Sequence, residues 1–142
     1  MSGSAFEIPS DPQYITQASA RVLNSLKRLN LDEGILFDVR LSLEEAIINA
    51  IKYGNNFNKD LRVSINYFLK GDRLEITVRD RGKGFDYTAI PDPTLNNNIL
   101  KNSGRGLFLI RNLMDEVKFN DSGNEIKMVK FLKGGKGYGG KG

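Results

Sequence analysis

The stretch "LSLEEAIINAIKYGNN", Leu41 to Asn56, combines two different faces on one predicted helix. Leu43 and Ile47 recur at helical spacing with Ala50 and Ile51, and they predict a side that packs into a core. Glu45 and Asn49 stand four residues apart, so they share another side of the helix. An acid beside an amide has two interpretations here. It is either the solvated face of an amphipathic helix or a site at the edge of the core.

The pair of polar residues suits phosphoryl or hydrolytic chemistry if it faces a cleft. The amide oxygen of Asn49 is a hard ligand of the kind that Mg²⁺ prefers. Glu45 can accept a proton from an attacking hydroxyl group or water. Lys52 and Tyr53 extend the same polar stripe. The helix is predicted from Asp32 to Tyr53, with an end at Gly54 and the asparagines that follow.

The composition excludes several classes of chemistry. The chain has 142 residues, which suits one domain with a hydrophobic core, and it contains no Cys and no His. Disulfides, Cys or His metal sites, Cys-His and Ser-His-Asp nucleophiles and a phosphorylated histidine are therefore excluded. No apolar run has the length of a membrane span, and the first residues do not form a signal peptide. We expect a cytoplasmic protein without a membrane partner.

The basic residues are concentrated at one end of the chain. The formal net charge is +4, from 21 basic and 17 acidic residues. Three of the basic residues, Lys133, Lys136 and Lys141, lie in the last ten positions, so the rest of the chain has 18 basic and 17 acidic residues. A nearly neutral body does not favour direct nucleic-acid binding. Residues 133–142 are Gly/Lys-rich and are predicted to be disordered, which leaves 1–132 as a single domain.

The remaining periodicity predicts the order β-α-α-β-β-loop-α-β-β. From residue 85 to 103 the sequence is irregular and rich in turn residues, which is typical of a functional lid or a disordered loop. The fold class is predicted as α+β, a two-layer sandwich with helices packed on one face of a mixed, mostly antiparallel sheet. The predicted elements are a strand at 5–8, a helix within 9–31 capped by Ser10 or Asp11, a hairpin at 61–79, a helix that starts at Gly104, and a hairpin at 116–132.

A second group of candidate residues is found in "VRDRGKGFD", residues 78–86. Asp80 ends a predicted strand, and Gly82 and Gly84 follow it. Glycines at such a turn let a ligand approach the backbone. A carboxylate at this place is a good acceptor for the exocyclic amine of adenine. A plain Asp-rich turn is the alternative.

The third group is "SGRGLFLI", residues 103–110. Gly104 and Gly106 lead into an apolar helix, with Arg105 between them. Free N–H groups and the positive end of a helix would face an anion there. The alternative is that the glycines serve close packing.

The order of the three groups is more specific than any one of them. A helical E-x-x-x-N, a strand-end D-x-G-x-G, a long lid and a G-x-G-L on a helix together resemble the GHKL ATPases. Within that superfamily the segments "EEAIINAIKYGNN", "DRGKGFD" and "GRGLFLIRNLMDEV" are most similar to those of the anti-sigma factor serine/threonine-protein kinases. The resemblance covers about residues 30–132. Many relatives have His-Gly where this chain has Tyr53-Gly54.

The resemblance implies a role for each matching residue. Glu45 would be the catalytic base, and Asn49 would be the Mg²⁺ ligand. Asp80 would bind adenine. The other nucleotide-binding residues implied are Gly82, Gly84, Gly104, Arg105, Gly106 and Leu107.

The implied function is that of an ATP-dependent protein serine/threonine kinase and anti-sigma factor. The resemblance implies ATP and Mg²⁺ as cofactors, an anti-anti-sigma factor as phosphoacceptor, a sequestered sigma factor, and a homodimer. One alternative is a non-catalytic module of the same fold in which the nucleotide only gates a protein interface. Another is a fragment of a sensor histidine kinase, which the absence of a phosphoacceptor His disfavours.

Overall fold

The computed structural model describes residues 2–82 and 101–132. Gly84, the first sixteen residues of the predicted lid and the predicted tail at 133–142 lie outside the described residues. Within them the chain forms five strands and three α-helices. The elements are β1 (Ser2–Pro9), α1 (Ile15–Asn24), α2 (Glu33–Asn49), β2 (Arg62–Lys70), β3 (Arg73–Arg79), α3 (Lys101–Leu113), β4 (Glu116–Phe119) and β5 (Glu125–Phe131).

The five strands form one sheet in the order β1-β2-β3-β5-β4. Each of the four ladders between the described strands is antiparallel, so this sheet is not mixed as the sequence suggested. The predicted α+β sandwich with helices on one face is confirmed. Both predicted hairpins are also confirmed, and Gly71 and Gly123 adopt positive φ in their turns.

The core lies between the sheet and the helices. Along β2 the buried residues Val63, Ile65 and Tyr67 alternate with more exposed ones, as expected for a strand with one covered face. The predicted apolar side of α2 is buried as well, with Leu43 and Ile47 fully covered. In the described parts of the chain no helix is both long enough and apolar enough to cross a bilayer.

Helix α2 has a regular start and an irregular end. The side chain of Asp32 accepts a hydrogen bond from the backbone N–H of Gly34 at 3.3 Å and caps the helix, which begins at the next residue, close to the predicted start. After Asn49 the helical path widens into a π-turn from Ala50 to Gly54. The backbone N–H of Asn55 then bonds to the carbonyl of Ala50 at 2.8 Å. This wide turn changes the direction of the chain just after Glu45 and Asn49, and such π-turns are frequent at functional sites.

The first helix is shorter than the sequence suggested. Asp11 is a cap, as predicted, but it caps a 3-10 turn, Pro12–Tyr14, that leads into α1. Regular α-helix then ends at Asn24 instead of continuing to Leu31. A short 3-10 turn follows, and Asn30 adopts the left-handed conformation with φ of 49°. That conformation ends the helical path before α2 begins.

Helix α3 begins earlier than its glycines. It starts at Lys101, so the last three residues of the predicted lid belong to the helix. Only the first four N–H groups of an α-helix lack an acceptor within the helix. Gly106 is the sixth residue of α3, and its N–H is therefore engaged inside the helix. The expectation that the helix starts at Gly104 was wrong, because the turn propensity of glycine yields here to packing against α2.

Candidate active site

Glu45 and Asn49 face the same cavity, which lies between α2 and α3. The cavity has a volume of about 530 Å³. The residues that line it are Glu45, Ile48, Asn49, Lys52, Tyr53, Arg105, Gly106, Phe108 and Leu109. The polar stripe predicted on α2 therefore borders a cleft, which favours the interpretation as a site over that as a merely solvated face.

Glu44 points elsewhere, although it is the neighbour of Glu45 in sequence. Its Oε2 accepts a hydrogen bond of 2.6 Å from the hydroxyl group of Ser19 on α1. Ser19 is itself buried. The contact turns Glu44 toward α1 and leaves Glu45 toward α3, which is the separation of about 100° that consecutive residues have on a helix.

The surroundings of Glu45 favour its protonated form. Partial burial is the largest cause that raises the pKa of Glu45 above its usual value, and the charge of Glu44 adds to the rise. Lys52 opposes both by lowering the pKa. A carboxyl group whose pKa is moved toward neutrality is better matched to taking up and releasing a proton near physiological pH.

Gly106 of α3 lies close to Glu45. A Cβ atom at position 106 would lie 2.6 Å from Glu45 Oε2 and 3.6 Å from Asn49 Nδ2. Real Cβ atoms do not approach this closely, so the glycine provides the space in which the two helices meet at the site. Arg105 is exposed and lines the cavity beside it, and Gly104 lies in the first turn of α3.

Asp80 lies at a second, smaller cavity with apolar walls. It is buried with 4% exposure, and the cavity has a volume of about 20 Å³, room for one or two waters. A purine needs more space, so its entry requires the side chains at the mouth to move. The lining residues are Ala46, Asn49, Ala50, Val78, Asp80, Leu107, Phe119, Gly123, Asn124, Glu125 and Ile126.

The carboxylate of Asp80 is held by the turn that follows it and by the end of α2. Its Oδ1 accepts a hydrogen bond of 2.9 Å from the backbone N–H of Gly82. A Cβ at position 54 would lie 2.2 Å from Oδ2, so Gly54 provides the space that the carboxylate occupies. Burial raises the pKa of Asp80, and the hydrogen bond from Gly82 opposes that rise.

Asn55 ties this region together, and the sequence did not point to it as more than a helix end. It is 2% exposed, and its Oδ1 accepts a hydrogen bond of 2.7 Å from the backbone N–H of Arg81. Its Nδ2 donates to the hydroxyl group of Ser10 at 2.8 Å and contacts the carbonyls of Leu61 and Arg62. One side chain thus joins the end of the π-turn to the loop that carries Asp80.

Asn49 lines both cavities, so the two are neighbours along α2. On α3 the neighbours Gly106 and Leu107 line different cavities. Gly106 lines the one with Glu45, and Leu107 lines the one with Asp80. An apolar slot with a buried carboxylate suits a heterocyclic base, and a wider cavity with Lys52 and Arg105 suits phosphates.

The comparison with known families agrees with this geometry. Residues 8–130 match the family described as the histidine kinase-like ATPase domain. The chain belongs to this family. The match includes every residue for which the sequence predicted a role, from Glu45 to Leu107.

This histidine kinase-like ATPase domain is similar to proteins named serine-protein kinase RsbW. The one from Oceanobacillus iheyensis is 31% identical over 133 residues, which cover 89% of this chain and 84% of the relative. Relatives from Staphylococcus epidermidis and Staphylococcus aureus are 28% and 29% identical over 134 residues, with the same coverage. The resemblance to the serine/threonine-protein kinases of this superfamily, predicted from the sequence, is confirmed.

A solved structure shares the fold. The crystal structure of the RsbU and RsbW domains of Rv1364c from Mycobacterium tuberculosis superposes with a TM-score of 0.63 at 13% identity. The superposition covers 99% of this chain and 34% of that one. At this level of identity the likeness concerns the fold alone.

The donor atoms of this ATPase domain fit a magnesium ion that is shared with phosphates. Where the chain is described, no cluster of three or more acidic, His or Cys side chains could hold a metal by itself. Mg²⁺ in nucleotide sites commonly takes one or two protein oxygens and completes its shell with phosphates and water. The amide oxygen of Asn49, which lines the wider cavity, meets that requirement.

Proposed function

We infer that this chain is an ATP-dependent protein serine/threonine kinase and an anti-sigma factor, and we propose that Glu45 is its general base. The kinase function is supported by the family and by relatives that are named serine-protein kinases. The alternative of a non-catalytic, nucleotide-gated module is not favoured by these relatives.

The observation that carries the role of Glu45 is its position in the cavity. It and Arg105 come from different helices, and Glu45 is the one carboxylate among the described residues that line the cavity. A base must lie where the acceptor hydroxyl group meets the γ-phosphate, and its pKa must allow proton uptake. The cations Lys52 and Arg105 beside Glu45 suit a place next to the γ-phosphate. The raised pKa of Glu45 suits proton uptake.

Phosphoryl transfer depends mainly on positioning and charge stabilisation. We propose that Lys52 and Arg105 face the phosphates of ATP and that Asn49 provides the protein ligand of Mg²⁺. A bound Mg²⁺ would neutralise charge that develops on the phosphate oxygens. Glu45 would hold the acceptor hydroxyl group by a hydrogen bond and take its proton as the new P–O bond forms. The bond between the γ-phosphorus and the bridging oxygen breaks in the same transfer, and ADP leaves with that oxygen.

The adenine ring is assigned to the slot at Asp80. The exocyclic amine of adenine is a donor, and a buried carboxylate gives it a strong, charge-assisted acceptor. Val78, Leu107 and Ile126 supply apolar surface for the two faces of the ring. Gly82 holds Asp80 through its backbone N–H, and Gly84 stays a predicted nucleotide-binding residue.

The partners are proposals that follow from this activity. The phosphoacceptor would be a Ser or Thr of an anti-anti-sigma factor, and the unoccupied kinase would hold a sigma factor. We propose that the kinase is a homodimer with one domain per chain, in the cytoplasm where sigma factors act. Light scattering on the full chain would measure the dimer.

Label transfer tests the proposal. The partner is first identified by a pull-down from the source cell with and without ATP, followed by mass spectrometry. The full chain is then incubated with ATP labelled in the γ-phosphate and with that partner. We expect label on a Ser or Thr of the partner, and transfer should need Mg²⁺. Nucleotide binding without any transfer would instead favour the non-catalytic module.

A further inference from the structure

A lysine of the sheet is buried beneath the two helices that form the site. Lys130 lies on the helix-covered face of β5 and is fully buried. Its ammonium group lies 3.0 Å from Asp38 Oδ2 on α2 and donates a 2.6 Å hydrogen bond to the carbonyl of Leu113, the last residue of α3. Asp38 is also fully buried. A buried ammonium group is costly unless it is paired, and a carboxylate with a helix C-terminus supplies that pairing.

These contacts lie on the same seam between the helices as the site. Asp38 and Glu45 are seven residues apart, which brings them back to nearly the same side of α2. Leu113 and Gly106 are also seven residues apart, on α3. The helices α2 and α3 contact each other at two places, which we call junctions. At one, Asp38 is joined to the end of α3 through Lys130, and at the other Glu45 lies against Gly106. The earlier residue of α2 thus meets the later residue of α3, so the two helices run antiparallel. The junctions are about 10 Å apart along each helix.

The far end of α3 is fixed to the sheet next to this junction. The backbone N–H of Asp115 bonds to the carbonyl of Val129 at 2.8 Å. The carboxylate of Asp115 accepts a 2.6 Å hydrogen bond from the backbone N–H of Phe131. These bonds hold α3 to β5, and Lys130 connects that anchor to α2.

Stability alone gives little reason for such an ion pair. Replacement of a buried pair by well-packed apolar residues of similar size is often neutral or stabilising, because the charges lose their hydration. A directional contact, however, fixes position better than apolar packing does. We propose that Lys130 and Asp38 are positioning residues that set the height and rotation of α3 over α2, and so hold Gly106 against Glu45. The inference rests on the proposed role of Glu45.

Release of this junction should change the surroundings of Glu45. Burial is the main reason for its raised pKa, and α3 provides part of that cover. The charges of Glu44, which points toward α1, and of Lys52 act on the pKa of Glu45, and Arg105 of α3 lines the same cavity. If α3 moves away, water reaches Glu45 and its pKa falls toward the usual value. A base of lower pKa stays ionised at lower pH.

The test compares three variants of the full chain by the pH dependence of kcat for phosphate transfer. Lys130→Met removes the contact to both helices. The double variant Asp38→Leu with Lys130→Met removes both charges and preserves bulk, so it remains informative if the single variant does not fold. Leu26→Ala is a control, because it opens the core at a fully buried position outside the site.

We expect Lys130→Met and the double variant to lower kcat by roughly 10- to 100-fold, the cost of a small misplacement of reacting groups. The acid limb of their pH profiles, where kcat falls as the pH drops, should move to lower pH. Leu26→Ala should melt at lower temperature with its acid limb unchanged. A double variant with the parent rate and the parent acid limb would overturn the inference. Glu45→Gln in the parent chain separates the two proposals: normal transfer by that variant refutes the role of Glu45 itself.

Discussion

Gly106 of α3 lies directly against Glu45 of α2, and a Cβ atom at position 106 would come within 2.6 Å of Glu45 Oε2. The motif suggests that this glycine offers a free N–H group to an anion, but the close approach indicates another reason for a glycine at this position. Its N–H belongs to the body of α3, so the residue matters for what it lacks, a side chain. The two helices can meet at the cavity because position 106 adds no volume there.

Gly106→Ala should therefore impair transfer more than it impairs folding. The new methyl group must displace either Glu45 or α3, and a shift of about 1 Å in reacting groups can lower a rate by roughly 100-fold. Alanine favours helix over glycine, so the melting temperature should change little. Asn112→Ala is the matched control, an alanine at an exposed position of the same helix. Equal transfer rates in the two variants would contradict the close contact.

Glu45→Gln should lower transfer by roughly 10²- to 10⁴-fold, the range for a lost general base. Glutamine preserves the size of the side chain, so ADP affinity should stay within a few-fold. Glu44→Gln is the control, because glutamine can still accept the hydrogen bond from Ser19. Its transfer rate should stay near that of the parent. Label transfer and calorimetry with ADP measure the two properties separately. Transfer that survives in Glu45→Gln but not in Glu44→Gln would reverse the assignment.

The predictable parts of the fold are those with a local signal. The two faces of α2 follow from helical periodicity, so the sequence alone assigns Leu43 to the core and Glu45 to another face. Both hairpins follow from alternation and turn glycines. The start of α3 could not be found in this way, because glycines favour turns locally while packing against α2 extends the helix through them.

The unpredicted parts of the site depend on residues that are distant in sequence. Lys130 and Asp38 are 92 residues apart, and nothing in the neighbourhood of either residue indicates an ion pair. The sequence indicates Gly54 only as a helix end, although its lack of a side chain accommodates Asp80. Such contacts arise from the antiparallel sheet order, which brings β5 next to β3 and under α2 and α3.

Asp80→Asn should weaken ADP binding by one to two orders of magnitude. A charge-assisted hydrogen bond contributes roughly 1.5–3 kcal/mol, and asparagine offers a weaker acceptor without the charge. Gly54→Ala should weaken ADP binding in the same direction, because its Cβ would displace the carboxylate of Asp80. Asp60→Asn removes the same charge at an exposed turn and should leave affinity unchanged. Calorimetry with ADP checks all three, and parent affinity in a folded Asp80→Asn would refute the adenine assignment.

Asn55→Ala should destabilise the fold by about 1–3 kcal/mol, the cost of leaving a buried polar group without its partner. The backbone N–H of Arg81 and the hydroxyl group of Ser10 would both lose a hydrogen bond. Denaturant unfolding measures the change, with Asn58→Ala at an exposed position as the control. ADP affinity should fall as well, because Arg81 follows Asp80. An unchanged midpoint would mean that the network contributes nothing to stability.

The pH dependence of transfer should report on Glu45. The pKa of Glu45 is raised, first by burial and then by Glu44, while Lys52 lowers it. A base must be ionised, so kcat should fall as pH drops below this raised pKa, at a higher pH than for an exposed glutamate. Lys52→Gln removes the opposing cation and should move the acid limb to higher pH. Glu44→Gln removes a like charge and should move it to lower pH.

The same pKa has a consequence for stability. Because the folded state binds the proton of Glu45 more tightly than the unfolded state does, this group favours folding below the unfolded pKa, and that contribution is lost as pH rises through the folded pKa. Glu45→Gln should therefore melt at the same or a higher temperature than the parent at neutral pH while losing transfer. An acid limb that neither Lys52→Gln nor Glu44→Gln moves would show that another group titrates, and the base would have to be sought elsewhere in the site.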